Sequence, residues 1–220
     1  MLGVLGRGEF VSNLRFLLLA TATDGDTIMG TRKSNGRESS NVRQAPDTER
    51  YNSSTNFSQS ILRYNSGGTR GPFKWGFEVP DYEKRHEWFK LGLCSEFEAN
   101  PSLANDYPSP TALPRVFGPE CERLVVDYLT SLRKHAESYF RIQFDPMIFH
   151  TTPREYIITV PAIWTDRAQY ITRICAEQAG MGHLQIISEP EAAGIFALDT
   201  MTNIGLNVGD TFVVCDAGGG

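Results

Sequence analysis

The sequence has no CxxC pair. Its 4 cysteines, Cys94, Cys121, Cys175 and Cys215, are spread along the chain, which excludes the short spacings of zinc and dithiol redox sites. Buried free thiols in a reducing compartment are the expectation. Long hydrophobic runs are also missing: the longest, Phe16 to Ala20, is far below the ~20 apolar residues that cross a bilayer, so no membrane partner is expected. Arg15 followed by Phe16 to Ala22 has the outline of a secretion signal, but its apolar region is minimal, and a cytoplasmic protein is the expectation. Basic residues are the minority, 21 Lys and Arg against 26 Asp and Glu, for a net charge of −5. With no basic stripe, nucleic acid is excluded as the main partner. A GxGxxG following a first strand is absent too, which removes a Rossmann-type dinucleotide enzyme.

What is present suffices for a packed core: 220 residues, 40% of them hydrophobic and 21% charged. Composition shifts near residue 60. Between Thr31 and Ser60 almost no aliphatic residue occurs, so the segment cannot bury enough surface to offset its ordering entropy. Residues 1–60 are therefore expected to form an atypical start without regular structure.

Regular structure is expected from Ile61 onward. Ile61–Tyr64 and Phe73–Val79 flank the Gly67-Gly68 turn signal and predict an antiparallel strand pair. Asp81 is placed to cap a short helix running to Lys90. The longest periodic stretch, Pro119 to Phe140, puts Leu124, Val125, Tyr128, Leu129, Leu132, Ala136, Tyr139 and Phe140 on one face of a helix. Glu155–Val160 reads as a buried strand ended by Pro161, Asp166–Ala179 as a helix closed by Gly180, and Leu184–Ile187 as a second buried strand. Ser188 and Glu191 have the spacing of a capping box opening a helix from Glu189 to Leu198. Thr211–Cys215 predicts a last strand, leading into Asp216-Ala217-Gly218-Gly219-Gly220.

A strand running into an Asp and three glycines has a physical use. Bare backbone N–H groups in a tight turn form a nest for phosphate oxygens, and the carboxylate can hold a metal ion or its water. A plain glycine turn would look identical, so the surroundings decide. They form an ordered series: Val160-Pro161-Ala162, a helix ending Ala176 to Gly180, Ile186-Ile187-Ser188-Glu189-Pro190-Glu191-Ala192-Ala193, then Val213 to Gly220.

In order and spacing this series resembles the ATPase domains of the heat-shock 70 kDa chaperone family, within the actin-like ATPase superfamily, with Ser188 in place of the family's Asn. Lys74-Trp75-Gly76, Phe89-Lys90-Leu91 and Asp127 to Ala136 are closer still to its divergent, twelve-A-like branch. The resemblance covers roughly residues 61–220. It implies an α/β fold of the actin-like (ribonuclease H-like) kind, partial and mainly lobe I. Residues 61–118 would be the inserted subdomain of lobe I, 119–208 its core, and 209–220 the first strand and phosphate loop of lobe II.

The resemblance implies ATP and Mg2+ as cofactors, ATP and ADP as ligands, and other chaperone components as partners. It matches Asp216 to the carboxylate that holds Mg2+ through water, and Ala217, Gly218, Gly219 and Gly220 to the backbone wrapping the phosphates. Glu189 matches the carboxylate near the attacking water; its alternative is a first-turn acid stabilising its own helix. Lys90 aligns with a catalytic lysine contacting the γ-phosphate, against a solvated helix-end lysine. His86, His135, His150 and His183 show no clustering, and Trp75 and Trp88 read as packing residues. For the family's first phosphate loop, D-x-G-T-T, the nearest stretch is Thr23-Asp24-Gly25-Asp26-Thr27, where Thr23 stands at the metal-binding Asp position. With that loop unmatched and the second lobe beyond Gly220, the expectation is an ATP-binding domain fragment deficient in hydrolysis as this chain. The alternative is a non-catalytic scaffold derived from the same lobe.

Overall fold

The computed structural model describes residues 16–21, 27–28, 57–58, 60–95, 99, 110–200 and 213. Its elements mix helices with small sheets. Strand β1 is Phe16–Thr21, β2 Thr27–Ile28, β3 Phe57–Ser58, β4 Leu62–Tyr64 and β5 Phe73–Trp75. After 3-10 turns at Gly76–Glu78 and Phe89–Leu93 come α1 (Gly118–Gln143), α2 (Pro146–Thr151), β6 (Arg154–Val160), α3 (Asp166–Gln178), β7 (Leu184–Ser188) and α4 (Glu189–Thr200).

The main sheet is parallel, in the order β1-β6-β7. Parallel neighbours need a crossover, and α3 supplies it between β6 and β7. On β6, Tyr156, Ile158 and Val160 alternate onto one buried face, as the two-residue period of a strand requires. Helix α1 lies in the same core through Cys121, Leu124, Val125, Tyr128, Leu129, Leu132, Ala136 and Phe140, the three-and-four spacing of a single helical stripe. Pro119 opens it and the Asp145-Pro146 step closes it, because proline restricts the residue before it. Asp145 then caps α2, accepting a hydrogen bond from the Met147 N–H at 2.8 Å.

Several boundaries differ from expectation. Residues 1–60 contain regular structure: Phe16–Thr21 pairs along its whole length with β6, Phe16 opposite Arg154 and Thr21 opposite Thr159. Two-residue strands β2 and β3 also pair, antiparallel. The composition argument rested on Thr31 to Ser60, which leaves out Phe16–Thr21, and within that stretch Phe57–Ser58 pairs against it. The expected antiparallel pair of Ile61–Tyr64 with Phe73–Val79 forms, but β5 stops at Trp75, because Gly76 takes φ 55° and turns the chain.

The helix expected from Asp81 to Lys90 does not form. His86 and Leu62 exchange backbone hydrogen bonds of 2.7 and 3.0 Å, and Arg85 bonds Thr111 and Leu113 likewise at 2.9 and 2.8 Å. Backbone groups committed to those bridges are lost to a helical ladder. Trp88 adopts φ 57°, and only then does a 3-10 turn begin at Phe89. Asp81, free of capping duty, lies 3.7 Å from Arg85.

The end of α3 follows the sequence closely. Gly180, at φ 83°, donates its N–H to the Glu177 carbonyl at 2.9 Å and Met181 donates to Ala176 at 3.0 Å, the paired bonds of a Schellman stop. Cys94, Cys121 and Cys175 are buried free thiols, as expected; burial pushes the Cys121 and Cys175 thiols up to about 12. No helix among the described residues is long and apolar enough to cross a membrane.

One buried imidazole, His86, and one half-buried, His135, couple the fold to pH. Burial pushes His86 and His135 below the usual histidine value, outweighing the Gly68 carbonyl and Glu120 at His86 and Glu78 at His135. The unfolded chain then binds protons that the folded chain refuses, so stability is present above about pH 6.5 and is lost as pH falls below it. The urea midpoint is expected to drop between about pH 7 and 5.5, and His86→Gln with His135→Gln to flatten that slope. A midpoint independent of pH across this window would contradict the assignment.

Candidate functional site

The carboxyl ends of β6 and β7 lie side by side, Val160 paired with Ser188. Pro161 and Glu189 therefore leave the sheet at the same edge, the edge where ligands bind in open parallel α/β sheets. After β6 the chain turns tightly: Trp164 N–H donates to the Pro161 carbonyl at 3.1 Å, and Thr165 caps α3 by accepting from the Ala168 N–H at 3.3 Å. After β7 the capping box is complete. Glu191 N–H donates to Ser188 Oγ at 3.3 Å and Ser188 N–H donates to Glu191 Oε2 at 3.4 Å, which fixes the first turn of α4 and Glu189 within it.

Lys90 reaches this edge from the other side of the chain. Its 3-10 turn is pinned by buried Phe89, Leu91 and Leu93, and by Cys121 Sγ–H donating to the Phe89 carbonyl at 2.9 Å. Gly92 allows that turn to lie directly on α1. Lys90 Nζ stands 3.0 Å from Glu189 Oε1, with the two side chains 13% and 18% exposed. The same ammonium lies 5.9 Å from the centroid of the Trp164 ring, itself buried. Three residues from distant stretches of chain thus meet at one edge of the sheet.

Chemically this is a charge-assisted hydrogen bond shielded from most solvent, stronger than a surface pair. An ammonium in that position can neutralise an anionic ligand, and a carboxylate can orient or deprotonate a water. The pair can equally act as a strut, tying the turn at Phe89–Leu93 to the start of α4.

Both residues singled out as catalytic candidates, Lys90 and Glu189, are therefore brought into contact across 99 positions. Asp216, Ala217, Gly218, Gly219 and Gly220 lie outside the described residues, as do Cys215 and, apart from Val213, the expected strand Thr211–Cys215. Among the described residues no group of three or more His, Cys, Asp or Glu could hold a metal ion. Trp164 was not singled out by its sequence context. Its signal was position, an aromatic residue three places past the proline that ends a parallel strand. Trp75 packs edge-on against Tyr128 and His135, centroids 6.0 and 5.9 Å away.

A separate open groove of about 540 Å³ lies beside the start of α1, lined among others by Thr69, Arg70, Phe117, Glu120 and Arg123. Its polar groups satisfy one another: Thr69 Oγ1 donates to Glu120 at 2.7 Å and accepts from Arg123 Nη1 at 3.3 Å. That arrangement fits structural bracing of the Gly67-Gly68 loop. No protein-family model matches the chain.

Proposed function

We propose that this chain is an ATP-binding domain of the heat-shock-70 type, with Lys90 and Glu189 on the phosphate side of the nucleotide site. The observation that carries the reading is the 3.0 Å Lys90–Glu189 contact at the carboxyl edge of a parallel β1-β6-β7 sheet. Motif order supports it: the Val160-Pro161-Ala162 and Ser188-Glu189-Pro190 segments both emerge at that edge. Strand β1 supports it further, since it runs parallel to β6 and ends at the same edge, Thr21 beside Thr159.

The donor set fits a nucleotide phosphate, one cation to offset charge and one carboxylate to handle water. Asp216 and the backbone of Ala217–Gly220 would hold the phosphates and Mg2+, as the resemblance implies. Bound Mg-ATP supplies a phosphoryl group whose transfer needs positioning and charge neutralisation more than covalent chemistry. In this reading Lys90 exchanges Glu189 for a phosphate oxygen, and Glu189, released, accepts a hydrogen bond from a water and then its proton.

Isothermal titration with Mg-ATP tests this. The wild-type chain is expected to give binding heat at millimolar nucleotide or below, Lys90→Met to weaken binding about tenfold or more, and Glu189→Gln to leave binding nearly unchanged. Any single-turnover hydrolysis is expected to fall about 100-fold in Glu189→Gln. Absence of heat with the wild-type chain would overturn the reading. The closed ion pair favours a second one, a scaffold in which Lys90 and Glu189 brace two segments. It is distinguished by loss of stability in both variants with no response to nucleotide.

A further inference from the structure

We infer that Trp164 is a positioning residue for Lys90: its indole face holds the ammonium at the sheet edge while the ammonium changes anionic partners. This deepens the ATP-site reading and rests on it for its functional consequence. The contact itself stands independently of that reading. Lys90 Nζ lies 5.9 Å from the Trp164 ring centroid, inside the range where an aromatic quadrupole attracts a cation. The ring is well placed to be a fixed surface. Trp164 is buried, its backbone N–H donates to the Pro161 carbonyl at 3.1 Å, and its backbone carbonyl accepts from Gln169 Nε2 on α3 at 3.2 Å.

The logic concerns what happens when Glu189 is needed elsewhere. A lysine side chain is long and flexible, so a neighbour that stays in place while one anion replaces another narrows the positions its ammonium takes up. The indole carries no proton-accepting group and no net charge. It therefore attracts the ammonium without competing for the phosphate, unlike a second carboxylate, which would oppose the anion. Trp164 also comes from the β6–α3 connection, a different element from Glu189, so the ammonium keeps this neighbour when the Glu189 contact opens.

The full-length chain carries 3 tryptophans, Trp75, Trp88 and Trp164, and so gives three indole N–H resonances, that of Trp164 being the one removed in Trp164→Phe. Lys90→Met is expected to shift the Trp164 indole resonance and leave that of Trp75 in place. No shift would overturn the contact. For the function, Mg-ATP affinity is read in a double-mutant cycle. Trp164→Leu is expected to weaken binding about threefold to tenfold, Trp164→Phe to recover most of that, and Trp164→Leu to add nothing when Lys90 is already Met. An equal loss in both backgrounds would make Trp164 a packing residue only and overturn the proposal. If the wild-type chain gives no nucleotide heat, the ATP reading fails, and the indole shift alone decides whether Trp164 holds Lys90. Thermal midpoints of each variant show that it is folded; should Trp164→Leu not fold, Trp164→Phe and Trp164→Met complete the cycle.

Discussion

Alanine at Gly92 is expected to destabilise the fold by about 3 kcal/mol, the upper end of what overpacking a close-packed site costs. The reason is space, not backbone conformation. A Cβ there would stand 2.3 Å from the Val116 carbonyl oxygen and 2.7 Å from Cys121 Sγ. A thiol can rotate, but Cys121 is fully buried and donates to the Phe89 carbonyl, so moving it breaks a hydrogen bond within the core. The carbonyl is backbone and moves only with its segment. Gly92→Ala with Cys121→Ala should therefore recover little, since the 2.3 Å clash remains. Gly68→Ala is the control, because nothing lies within 4 Å of its Cβ, and it should stay within about 0.5 kcal/mol of wild type. Urea unfolding measures all three, and a Gly92→Ala cost under about 1 kcal/mol would show that the turn sits farther from α1. The same variant should also weaken Mg-ATP binding in the ATP-site reading, because the turn it displaces carries Lys90.

Periodicity made the second half of the fold legible. Leu124 to Phe140 repeats with helical spacing, Tyr156, Ile158 and Val160 alternate, and Ser188 with Glu191 signals a helix start; each signal lies within a short window of the chain, and each element forms. The stretch from Asp81 to Lys90 failed for the opposite reason. Its apolar spacing suits a helix, but its backbone is claimed by Leu62, Thr111 and Leu113, partners 20 or more positions away that no window along the chain contains. Strand β1 was missed likewise. Phe16–Ala20 is too short to choose between signal segment and strand, and pairing with β6, more than 130 positions later, is what makes it a strand.

At the site, the sequence identified two residues separately and had no means of joining them. Glu189 rested on the resemblance, through its place in the Ser188-Glu189-Pro190 segment after β7. Lys90 rested on alignment with a motif, and its reason is the 3-10 turn that Gly92 and Cys121 allow. Trp164 carries no motif. The role proposed for it depends on the distance of a ring from an ammonium, set by the β6–α3 turn and by α1 beneath Lys90.

Phe149→Ala is expected to remove about 3–5 kcal/mol, the range for deleting a buried aromatic side chain. Phe149 is 1% exposed and is the one inward anchor of α2, whose Met147 and Ile148 face solvent. The Arg154 guanidinium lies 4.5 Å above its ring and that of Arg141 5.3 Å away, so the side chain also seats two cations. Each such contact is worth about 0.5–1 kcal/mol, less than the cavity, so the loss should follow volume more than charge. Phe149→Leu, which keeps most of the volume and loses the ring face, separates the two contributions and should cost about 1–1.5 kcal/mol. Arg154 is joined through Glu137, at 4.0 Å, to the Tyr156 hydroxyl at 3.1 Å on the central strand. The damage from Phe149→Ala is therefore expected to reach the sheet and appear in urea as a lower midpoint with an unchanged slope. A shallower slope would instead mean that α2 detaches alone, leaving β6 and the Lys90–Glu189 edge folded.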